Sequence, residues 1–422
     1  MYFEMSLISY RICLVNNQTN IGGGCMANFN DVKNKNKLTL LELIKSNDVI
    51  TRAQLSKLTG LTRATVSTLI GELLNEGYIK ELGRGDSKKG RGGRKPILIS
   101  LNDETKFYLG VDLHWDFFQI AVSNIKGKIL YEDAHYFERR QNPDEYFKEV
   151  RKKVFKVFSM KKYSKKISSI GMSVYGVVDT INNILKFPSH MNWDPIELKK
   201  YIEDFPVEVY VESRSAASLL AETWFLDELY PKKGLIVFIN VIEGIGGAVM
   251  INGEIIKNKG ISTGEIGHTV VDLNGNKCSC GKNGCLEAYI SDRKLVEAYV
   301  NEIDNLKLPT NSIRDMARRI AHMSTVGDRA AMKAMNELTK ILSVGIGNVI
   351  NFLSPTYVIV GGFVTEAWSF IEPILKKEVA RQVLPGLFIS TKVVPNHYGD
   401  KSGLYGALAV AIKENMQAIE KE

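Results

Sequence analysis

The sequence predicts an α/β protein of more than one domain, with a winged helix-turn-helix module near its N-terminal end. The 422-residue chain is long enough for two or three domains. Strand and helix patterns alternate after Asn102, as they do in α/β folds. The net charge of +8 is concentrated early, because residues 31–100 contain 14 lysines and arginines against 7 acidic residues. A basic segment attached to a near-neutral body is typical of a nucleic-acid-binding module.

Residues 1–30 are expected to form a poorly structured leader. A secretory signal would need basic residues before its apolar core, whereas the first basic residue here, Arg11, follows that core. Three glycines stand just before Cys25 and Met26, and glycine codons there would resemble a translated ribosome-binding site. We therefore hypothesise that translation begins at Met26, and the intact mass of the natively expressed protein tests this.

Composition excludes a membrane-spanning protein and a disulfide framework. No apolar run approaches the roughly 20 residues that cross a bilayer. Three of the five cysteines are clustered at a spacing typical of metal ligands. This usage favours a reducing compartment, and we expect a cytoplasmic protein.

Residues 31–102 are predicted to fold as three short helices and a hairpin. Thr51 and Gln54 form a capping box at the start of the second helix, which ends at Gly60. Thr62 caps the third helix, whose apolar residues follow a 3.6-residue period until Gly77. Two strands flank a segment rich in glycine, lysine and arginine, as in a winged helix-turn-helix.

The third helix and the basic segment are predicted to contact operator DNA. Small hydroxylated residues with one arginine at the front of the last helix suit a major groove. The predicted helix contacts are Thr62, Arg63, Ala64, Thr65, Ser67 and Thr68. The predicted wing contacts with phosphates or a minor groove are Arg84, Lys88, Lys89, Arg91, Arg94 and Lys95. The alternative is a helical module that binds proteins.

The rest of the chain alternates between strand and helix patterns. Predicted strands and strand pairs cover residues 107–122 with 128–131, 167–174, 207–212, 234–251 and 357–362. Predicted helices cover residues 144–160, 215–226 and 341–353.

A histidine and three cysteines are predicted to bind zinc in a loop. Three thiolates and an imidazole make the tetrahedral donor set that Zn²⁺ prefers in closed structural sites. All four positions are filled by protein, so no activated water would be bound. The proposed ligands are His268, Cys278, Cys280 and Cys285. The alternative is a set of free cysteines close together by coincidence.

Several motifs together resemble the ROK family of repressors, open reading frames and sugar kinases. They are Gly264-Glu265-Ile266-Gly267-His268, the Cys-x-Cys-Gly-x-x-Gly-Cys-Leu-Glu loop at 278–287, Gly244-Ile245-Gly246-Gly247, and Pro355 with Gly361-Gly362. The resemblance runs from about Leu38 to the end of the chain. It implies a two-lobed, actin-like (ribonuclease H-like) sugar-kinase fold, with a sugar between the lobes and a structural zinc beside it. We expect the lobes to be residues 103–225 and 226–422, with the C-terminal helix able to return to the first lobe.

The residues that a kinase needs are replaced in three places. By resemblance, Arg214 stands where family kinases have the aspartate that takes the proton from the sugar, and a guanidinium cannot act as a base. The first phosphate turn reads Asp112-Leu113-His114-Trp115-Asp116 instead of Asp-x-Gly-Gly-Thr. Glu243 replaces the threonine of the second phosphate turn. We therefore predict that there is no catalytic residue, and that Asp112 is a relic or a structural hydrogen-bonding residue.

The resemblance also implies which residues hold the sugar. Carboxylates suit polyols, because each oxygen accepts from a hydroxyl. By resemblance, the predicted sugar-binding residues are Glu265, His268 and Glu287, together with Ser213, which stands in place of a family asparagine. Asn192 is also predicted to bind the sugar, because Asn192-Trp193 would line the mouth of the cleft; the alternative for Trp193 is a buried position in the core. His268 would bind zinc as well, or zinc alone.

The leading interpretation is a sugar-responsive repressor of carbohydrate-utilisation genes that binds operator DNA as a homodimer and has lost kinase activity. One alternative is an ATP-dependent ROK sugar kinase that also binds DNA. Another is a DNA-bound regulator controlled by a protein partner. The sequence does not name the sugar, since xylose, glucose and N-acetylhexosamines all fit.

Overall fold

The computed structural model describes five stretches of the chain. They are residues 29–84, 96–188, 191–230, 233–303 and 313–419. The hypothesised start at Met26 lies outside them, as does the predicted leader up to residue 28. The wing residues Lys88, Lys89, Arg91, Arg94 and Lys95 and the side chain of Arg84 also lie outside what is described.

The N-terminal module has three helices and a small antiparallel sheet, which confirms the predicted winged helix-turn-helix. Thr51 and Gln54 form the predicted capping box, and Gly60 ends the second helix with a φ of 74°. The Thr62 side chain caps the third helix by accepting from the Thr65 amide at 3.1 Å. The elements are α1 (Phe29–Ser46), β1 (Ile50–Thr51), α2 (Arg52–Thr59), α3 (Arg63–Asn75), β2 (Ile79–Arg84) and β3 (Ile97–Leu101).

The next stretch builds a five-stranded sheet, which we call the first-lobe sheet, in the order β11-β7-β4-β5-β6. Its strands β4, β7 and β11 are parallel, and β4 and β7 are nearly fully buried, as expected when helices cover a sheet. The elements are β4 (Phe107–Leu113), β5 (Phe117–Asn124), β6 (Ile129–Tyr136), α4 (Pro143–Ser159), β7 (Ile167–Val174), β8 (Val177–Asp179), β9 (Ile184–Phe187), β10 (Ile196–Glu197), α5 (Lys199–Ile202), β11 (Val209–Ser213) and α6 (Arg214–Phe225).

The C-terminal half builds a second five-stranded sheet, the second-lobe sheet, in the order β14-β13-β12-β17-β18. Two such sheets, each with its own apolar core, agree with the predicted two-lobed fold. The elements are β12 (Leu235–Val241), β13 (Ile245–Ile251), β14 (Glu254–Ile255), β15 (Lys257–Asn258), β16 (Ile261–Ser262), α7 (Asp292–Val300), α8 (Ile313–Thr325), α9 (Arg329–Leu353), β17 (Tyr357–Gly362), α10 (Trp368–Gln382), α11 (Leu387–Ser390), β18 (Lys392–Pro395) and α12 (Ser402–Ala418).

A third sheet combines strands from both halves of the chain. Its order is β10-β9-β8-β16-β15, and β16 pairs with β8 through Ile261 and Asp179. The loop that carries the three clustered cysteines lies between β16 and α7. The strands therefore place this loop next to the ends of β7 and β11.

The C-terminal helix α12 packs against the first-lobe sheet. A Cβ atom built on Gly171 of β7 would overlap the carbonyl oxygen of Ala407, and one on Gly110 of β4 would crowd Leu408. These glycines are required because the helix backbone lies directly on the strands. Farther along, Ile412 and Met416 are buried in one apolar cluster with residues of the N-terminal module. Helix α12 thus joins the module to the first-lobe sheet.

Hydrogen bonds and charges add to this junction. The hydroxyls of Tyr78 and Tyr108 both lie within hydrogen-bond distance of Asn415 Oδ1, at 3.2 and 3.4 Å. Lys45 of α1 pairs with Asp227 at 3.0 Å and lies over the ring of Trp224.

None of the helices within the described ranges is both long enough and apolar enough to span a bilayer.

Candidate functional site

A cavity lies where the carboxyl ends of β7 and β11 meet the turn between β12 and β13. It contains about 570 Å³ of space without protein atoms, part of it open to solvent. Four of the predicted sugar-binding residues line it: Ser213, Glu265, His268 and Glu287. They come from three separate segments of the sequence, so the fold brings them together at one site.

The fifth predicted residue, Asn192, does not line this cavity. Its side chain is exposed and its backbone has a φ of 57°. The neighbouring Trp193 packs against Tyr146 and Phe147 of α4 and donates Nε1 to the carbonyl oxygen of Gln141 at 2.8 Å. Trp193 therefore belongs to the core of the first lobe, and the structure does not bring this dipeptide to the cavity.

Two carboxylates and a histidine form one end of the cavity lining. Glu287 Oε2 accepts from the Ile245 amide at 3.0 Å, and Oε1 accepts from the Ser279 hydroxyl at 2.8 Å. Burial raises the pKa of Glu265, and the neighbouring Glu287 charge adds to that rise, whereas His268 opposes it. This end of the cavity is rich in oxygen acceptors.

Arg214 and Asp112 form a buried ion pair beside the cavity. Arg214 is the first residue of α6 and only 4% exposed, and its Nε donates to Asp112 Oδ1 at 3.3 Å. Asp112 also accepts from Ser173, from Gln119 at 3.0 Å and from His114 at 3.0 Å. Burial alone would raise the pKa of Asp112, but Arg214, His114 and these hydrogen bonds hold it well below its usual range. Of the two predictions for Asp112, a relic or a structural hydrogen-bonding residue, these contacts support the second.

His114 is neutral at physiological pH. Burial lowers its pKa to about 3, and the nearby charge of Arg214 acts in the same direction, against the attraction of Asp112. Its ring stacks on Phe117 with the centroids 3.9 Å apart. The turn that corresponds by resemblance to the first phosphate turn of a kinase therefore contains the rings of His114 and Trp115, and the His114 ring is packed on Phe117.

A contact between the two lobes closes the same region. Trp115, in the turn after β4, donates Nε1 to the Glu243 carboxylate in the turn after β12. Burial raises the pKa of Glu243 to about 7.

Asp292, at the start of α7, is buried with no hydrogen-bond partner for its carboxylate oxygens in the described part of the chain. Burial raises its pKa well above the usual range, and Glu243 adds to that rise.

The raised pKa of Glu243 predicts a pH-dependent stability. The unfolded chain ionises Glu243 near pH 4.5, whereas the folded chain keeps the proton until about pH 7. Glu243 therefore does not lower the free energy of unfolding below about pH 4.5. Its destabilising effect grows between about pH 4.5 and 7 and reaches about 3 kcal/mol above pH 7. Glu243→Gln, whose amide oxygen still accepts from Trp115, should raise the melting temperature at about pH 8 and leave it unchanged near pH 4.5.

Thermal unfolding across this pH range measures that difference. Glu138→Gln serves as the control, because the Glu138 side chain is exposed. Equal effects of the two substitutions at every pH would contradict the assignment to Glu243.

The predicted zinc ligands form a compact cluster in the described structure. The ligand atoms of His268, Cys278, Cys280 and Cys285 all lie within 4.8 Å of one another. The His268 Nδ1 atom is 3.7 Å from Cys278 Sγ, and Cys280 Sγ is 3.7 Å from Cys285 Sγ. These four residues could hold a metal ion.

The backbone of the loop explains how distant ligands converge. The Cys278 amide donates to the Lys282 carbonyl oxygen at 2.8 Å, which folds the Cys-x-Cys segment into a tight turn. The Leu286 amide donates to the Thr269 carbonyl oxygen at 2.9 Å and draws Cys285 beside His268. Gly284, with a φ of 73°, lies so close to the Asp272 carbonyl that a Cβ would overlap it. The cluster therefore shares His268 with the cavity and adjoins Glu287, whose Oε1 is 3.9 Å from Cys278 Sγ.

The predicted recognition face of α3 points to solvent. Val66, Leu69, Ile70 and Leu73 are buried, whereas Arg63, Ala64, Ser67, Thr68 and the cap Thr62 are exposed and Thr65 is half-buried. The acidic residues at the C-terminal end of α3 are Glu72 and the C-cap residue Glu76, which pair with Lys33 and Lys37 of α1 at 2.7 and 2.5 Å. The N-terminal half of α3 thus presents a cation and hydroxyls without a carboxylate.

The cavity lining includes residues that were not predicted from the sequence, among them Tyr175 and Asn240. Tyr175 follows β7, and its ring lies under the Arg214 guanidinium at 5.2 Å. Asn240, near the end of β12, lines the cavity, and its Oδ1 is buried without a hydrogen-bond partner among the described residues. Neither residue belongs to a motif. Both lie at or near the ends of predicted strands, however, and ligands of α/β proteins commonly bind at the carboxyl ends of strands, so this position could have indicated them.

Comparisons with known proteins agree with this architecture. A model of the ROK family matches residues 108–414, and a model described as winged helix-turn-helix DNA-binding matches residues 33–80. The xylose repressor of Caldicellulosiruptor bescii is 27% identical over 398 residues, covering 92% of this chain and 98% of that protein. The N-acetylglucosamine repressor of Escherichia coli O157:H7 is 25% identical over 403 residues, covering 94% and 97%. A solved ROK family transcriptional regulator, a homologue of the E. coli MLC protein, has a TM-score of 0.77 at 22% identity, covering 93% and 98%.

Proposed function

Because this chain belongs to the ROK family, we propose that it is a sugar-responsive, DNA-binding repressor of carbohydrate-utilisation genes and has no kinase activity. The observation that carries the proposal is the Arg214–Asp112 ion pair, which puts a guanidinium in the cleft of a chain that also has a winged helix-turn-helix. A guanidinium cannot take a proton from a sugar hydroxyl. The repressor names of the similar proteins from Caldicellulosiruptor bescii and E. coli support the same function.

The N-terminal module would bind operator DNA. The exposed N-terminal half of α3 would enter the major groove with Arg63 and its hydroxylated neighbours, and the predicted wing residues would contact the backbone. Two copies of the chain would bind as a homodimer, each reading one half-site about one helical turn apart.

The cavity would bind the sugar effector. Glu265 and Glu287 would accept hydrogen bonds from adjacent hydroxyls, with His268 and Ser213 as further partners. Glu287 is held in place by the Ile245 amide and the Ser279 hydroxyl, so its oxygens are fixed before the sugar arrives.

The histidine–cysteine cluster would hold a structural zinc ion. Four ligands arranged tetrahedrally around zinc, with Zn–S bonds near 2.3 Å, are about 3.7 Å apart, which fits the two separations of 3.7 Å in the cluster. The zinc would brace the loop between His268 and Glu287, and it would take no part in a reaction because protein fills all four positions.

Helix α12 offers a route from the cavity to the DNA. Its first turn lies against Asp112 and Arg214, where a Cβ on Gly403 would overlap both side chains. Its last turns share an apolar core with the winged helix-turn-helix. A sugar that closes the lobes would therefore move the first lobe and the DNA-binding module together. A differential affinity of a few kcal/mol between two states is enough for such control.

Operator binding tests this function. The full chain should retard DNA from upstream of its own gene at low salt, and the effector sugar should release that DNA. Arg63→Glu should weaken binding at least about tenfold, because a base or phosphate contact becomes a repulsion. Lys376→Ala on α10, whose partner is Glu372 of the same helix, serves as the control.

Two results would contradict the proposal. One is no retardation of any upstream fragment at low salt. The other is ATP-dependent phosphorylation of a sugar by the purified chain, which would instead support a kinase. DNA binding that no sugar alters, together with capture of a specific protein partner, would favour control by that partner.

A further inference from the structure

One short segment of the first lobe makes two contacts with the second lobe. Trp115, in the turn after β4, donates Nε1 to the Glu243 carboxylate in the turn after β12. Two residues farther along, the ring of Phe117 packs against the guanidinium of Arg314, the second residue of α8, at 4.8 Å from the ring centroid. Both contacts depend on how close the two lobes lie.

Arg314 is held only weakly in this position. Its guanidinium donates no hydrogen bond to a residue in the described stretches, and its closest described carboxylate oxygen, on Asp400, is 3.7 Å away. Arg318 pairs with the other oxygen of Asp400 and with Glu366 at 2.5 Å. Arg314 can therefore change partner without breaking a direct hydrogen bond.

An alternative partner for Arg314 lies in its own lobe. Asp292 begins α7 and is only 1% exposed, and neither of its carboxylate oxygens has a hydrogen-bond partner among the described residues. Its amide donates to the Ile242 carbonyl oxygen at 2.9 Å, which places Asp292 beside the turn that carries Glu243. Burial and Glu243 raise the pKa of Asp292, and Arg314 is near enough to oppose that rise. A buried carboxyl group without a partner is destabilising, so a state in which it has one would be favoured.

We propose that Arg314 exchanges partners as the lobes move. It lies on Phe117 when the lobes are closed and pairs with Asp292 when they are apart, while the Trp115–Glu243 hydrogen bond belongs to the closed state alone. We call these five residues the interlobe latch. The inference rests on the proposed function, in which a sugar closes the lobes, and a ligand can shift two such states if they differ by only a few kcal/mol.

The sugar affinity of variants outside the cavity tests the latch on the full chain. Trp115→Phe keeps an aromatic ring but loses the N–H donor, so the closed state becomes less populated. The affinity should fall about tenfold, as for a lost hydrogen bond to a charged group. Glu243→Ala removes the acceptor and should have the same effect. Neither residue lines the cavity, so no sugar contact is removed. The probes for calorimetry are D-xylose, D-glucose and N-acetyl-D-glucosamine.

Asp292→Asn should have the opposite effect. Burial raises the pKa of Asp292, so asparagine reproduces the neutral group of the closed state, and only the ion pair with Arg314 in the open state is lost. Added to Trp115→Phe, this substitution should therefore raise the sugar affinity at least about threefold. Asp315→Asn is the matched control, because Asp315 is exposed and adjoins Arg314 in the sequence. It removes the same charge and should restore nothing.

Small-angle scattering of the sugar-free chain measures the lobes independently of any ligand. The radius of gyration should be larger for Trp115→Phe and should return toward that of the parent chain when Asp292→Asn is added. An unchanged affinity and radius in Trp115→Phe, or no restoration by Asp292→Asn, would overturn the latch. If none of the three sugars binds the parent chain, the proposed response to these sugars fails, and scattering alone supports or overturns the latch.

Discussion

Replacing Cys285 with serine is expected to abolish zinc binding and to weaken sugar binding at least about tenfold. Serine is not ionised at neutral pH and cannot replace a thiolate ligand. Without the ion, the loop between His268 and Glu287 loses its brace, and the carboxylate end of the cavity loses its fixed geometry. A lost hydrogen bond to a charged group costs about tenfold or more in affinity.

Metal analysis and calorimetry on the purified chain measure the two effects. Asn283→Ala in the same loop is the matched control, because Asn283 is exposed and is not a ligand. The Cys285→Ser protein should still bind operator DNA, since the winged helix-turn-helix packs on α12 and the first lobe and not on this loop. Full zinc content in the variant, or unchanged sugar affinity after zinc is lost, would contradict the bracing role.

Replacing Gly171 with alanine is expected to destabilise the protein by at least about 3 kcal/mol. The new Cβ would overlap the Ala407 carbonyl oxygen, which belongs to the backbone of α12 and cannot rotate away. Overpacking a buried site costs about 1–3 kcal/mol even when side chains can adjust, and here a whole helix must move. The melting temperature should fall by on the order of 5 °C or more.

The control is Gly71→Ala in α3, where a Cβ meets no atom within 4 Å. Alanine there should leave stability unchanged or raise it by up to about 1 kcal/mol, because glycine is a poor helix former. Gly171→Ala should also weaken DNA binding, since α12 carries part of the core of the DNA-binding module. Normal stability of Gly171→Ala would show that α12 does not lie on β7 as described.

Features encoded within a short stretch of sequence could be predicted. The capping box at Thr51 and Gln54 and the cap at Thr62 depend on residues three positions apart. The histidine–cysteine cluster lies within one segment from His268 to Cys285, so spacing and ligand type together indicated a metal site. Strand β7 was predicted with its observed bounds, in a short segment whose apolar residues are separated only by serines and a glycine.

Contacts between distant segments could not be predicted in the same way. The replacement of a catalytic aspartate by Arg214 was visible in the motif, but its ion pair with Asp112 joins residues 102 positions apart. The Trp115–Glu243 hydrogen bond spans 128 positions. Asn192 was predicted to bind the sugar, but it does not line the cavity. Its neighbour Trp193 packs against Tyr146 of α4, and this contact between distant segments could not be predicted from the residues around Asn192.

The length of helix α12 also determines how far a rotation of the first lobe would displace the DNA-binding module. Its 17 residues span about 25 Å from the Asp112–Arg214 pair to the core of the DNA-binding module. If the helix and first lobe turn as one body about the cleft, a rotation of about 5° displaces the far end of this arm by about 2 Å. Because α3 packs in the same apolar core as the last turns of α12, the recognition helix of each copy in the proposed homodimer would shift by a similar amount. Since hydrogen bonds to bases tolerate only a few tenths of an ångström, a small closure around a sugar would be enough to break them.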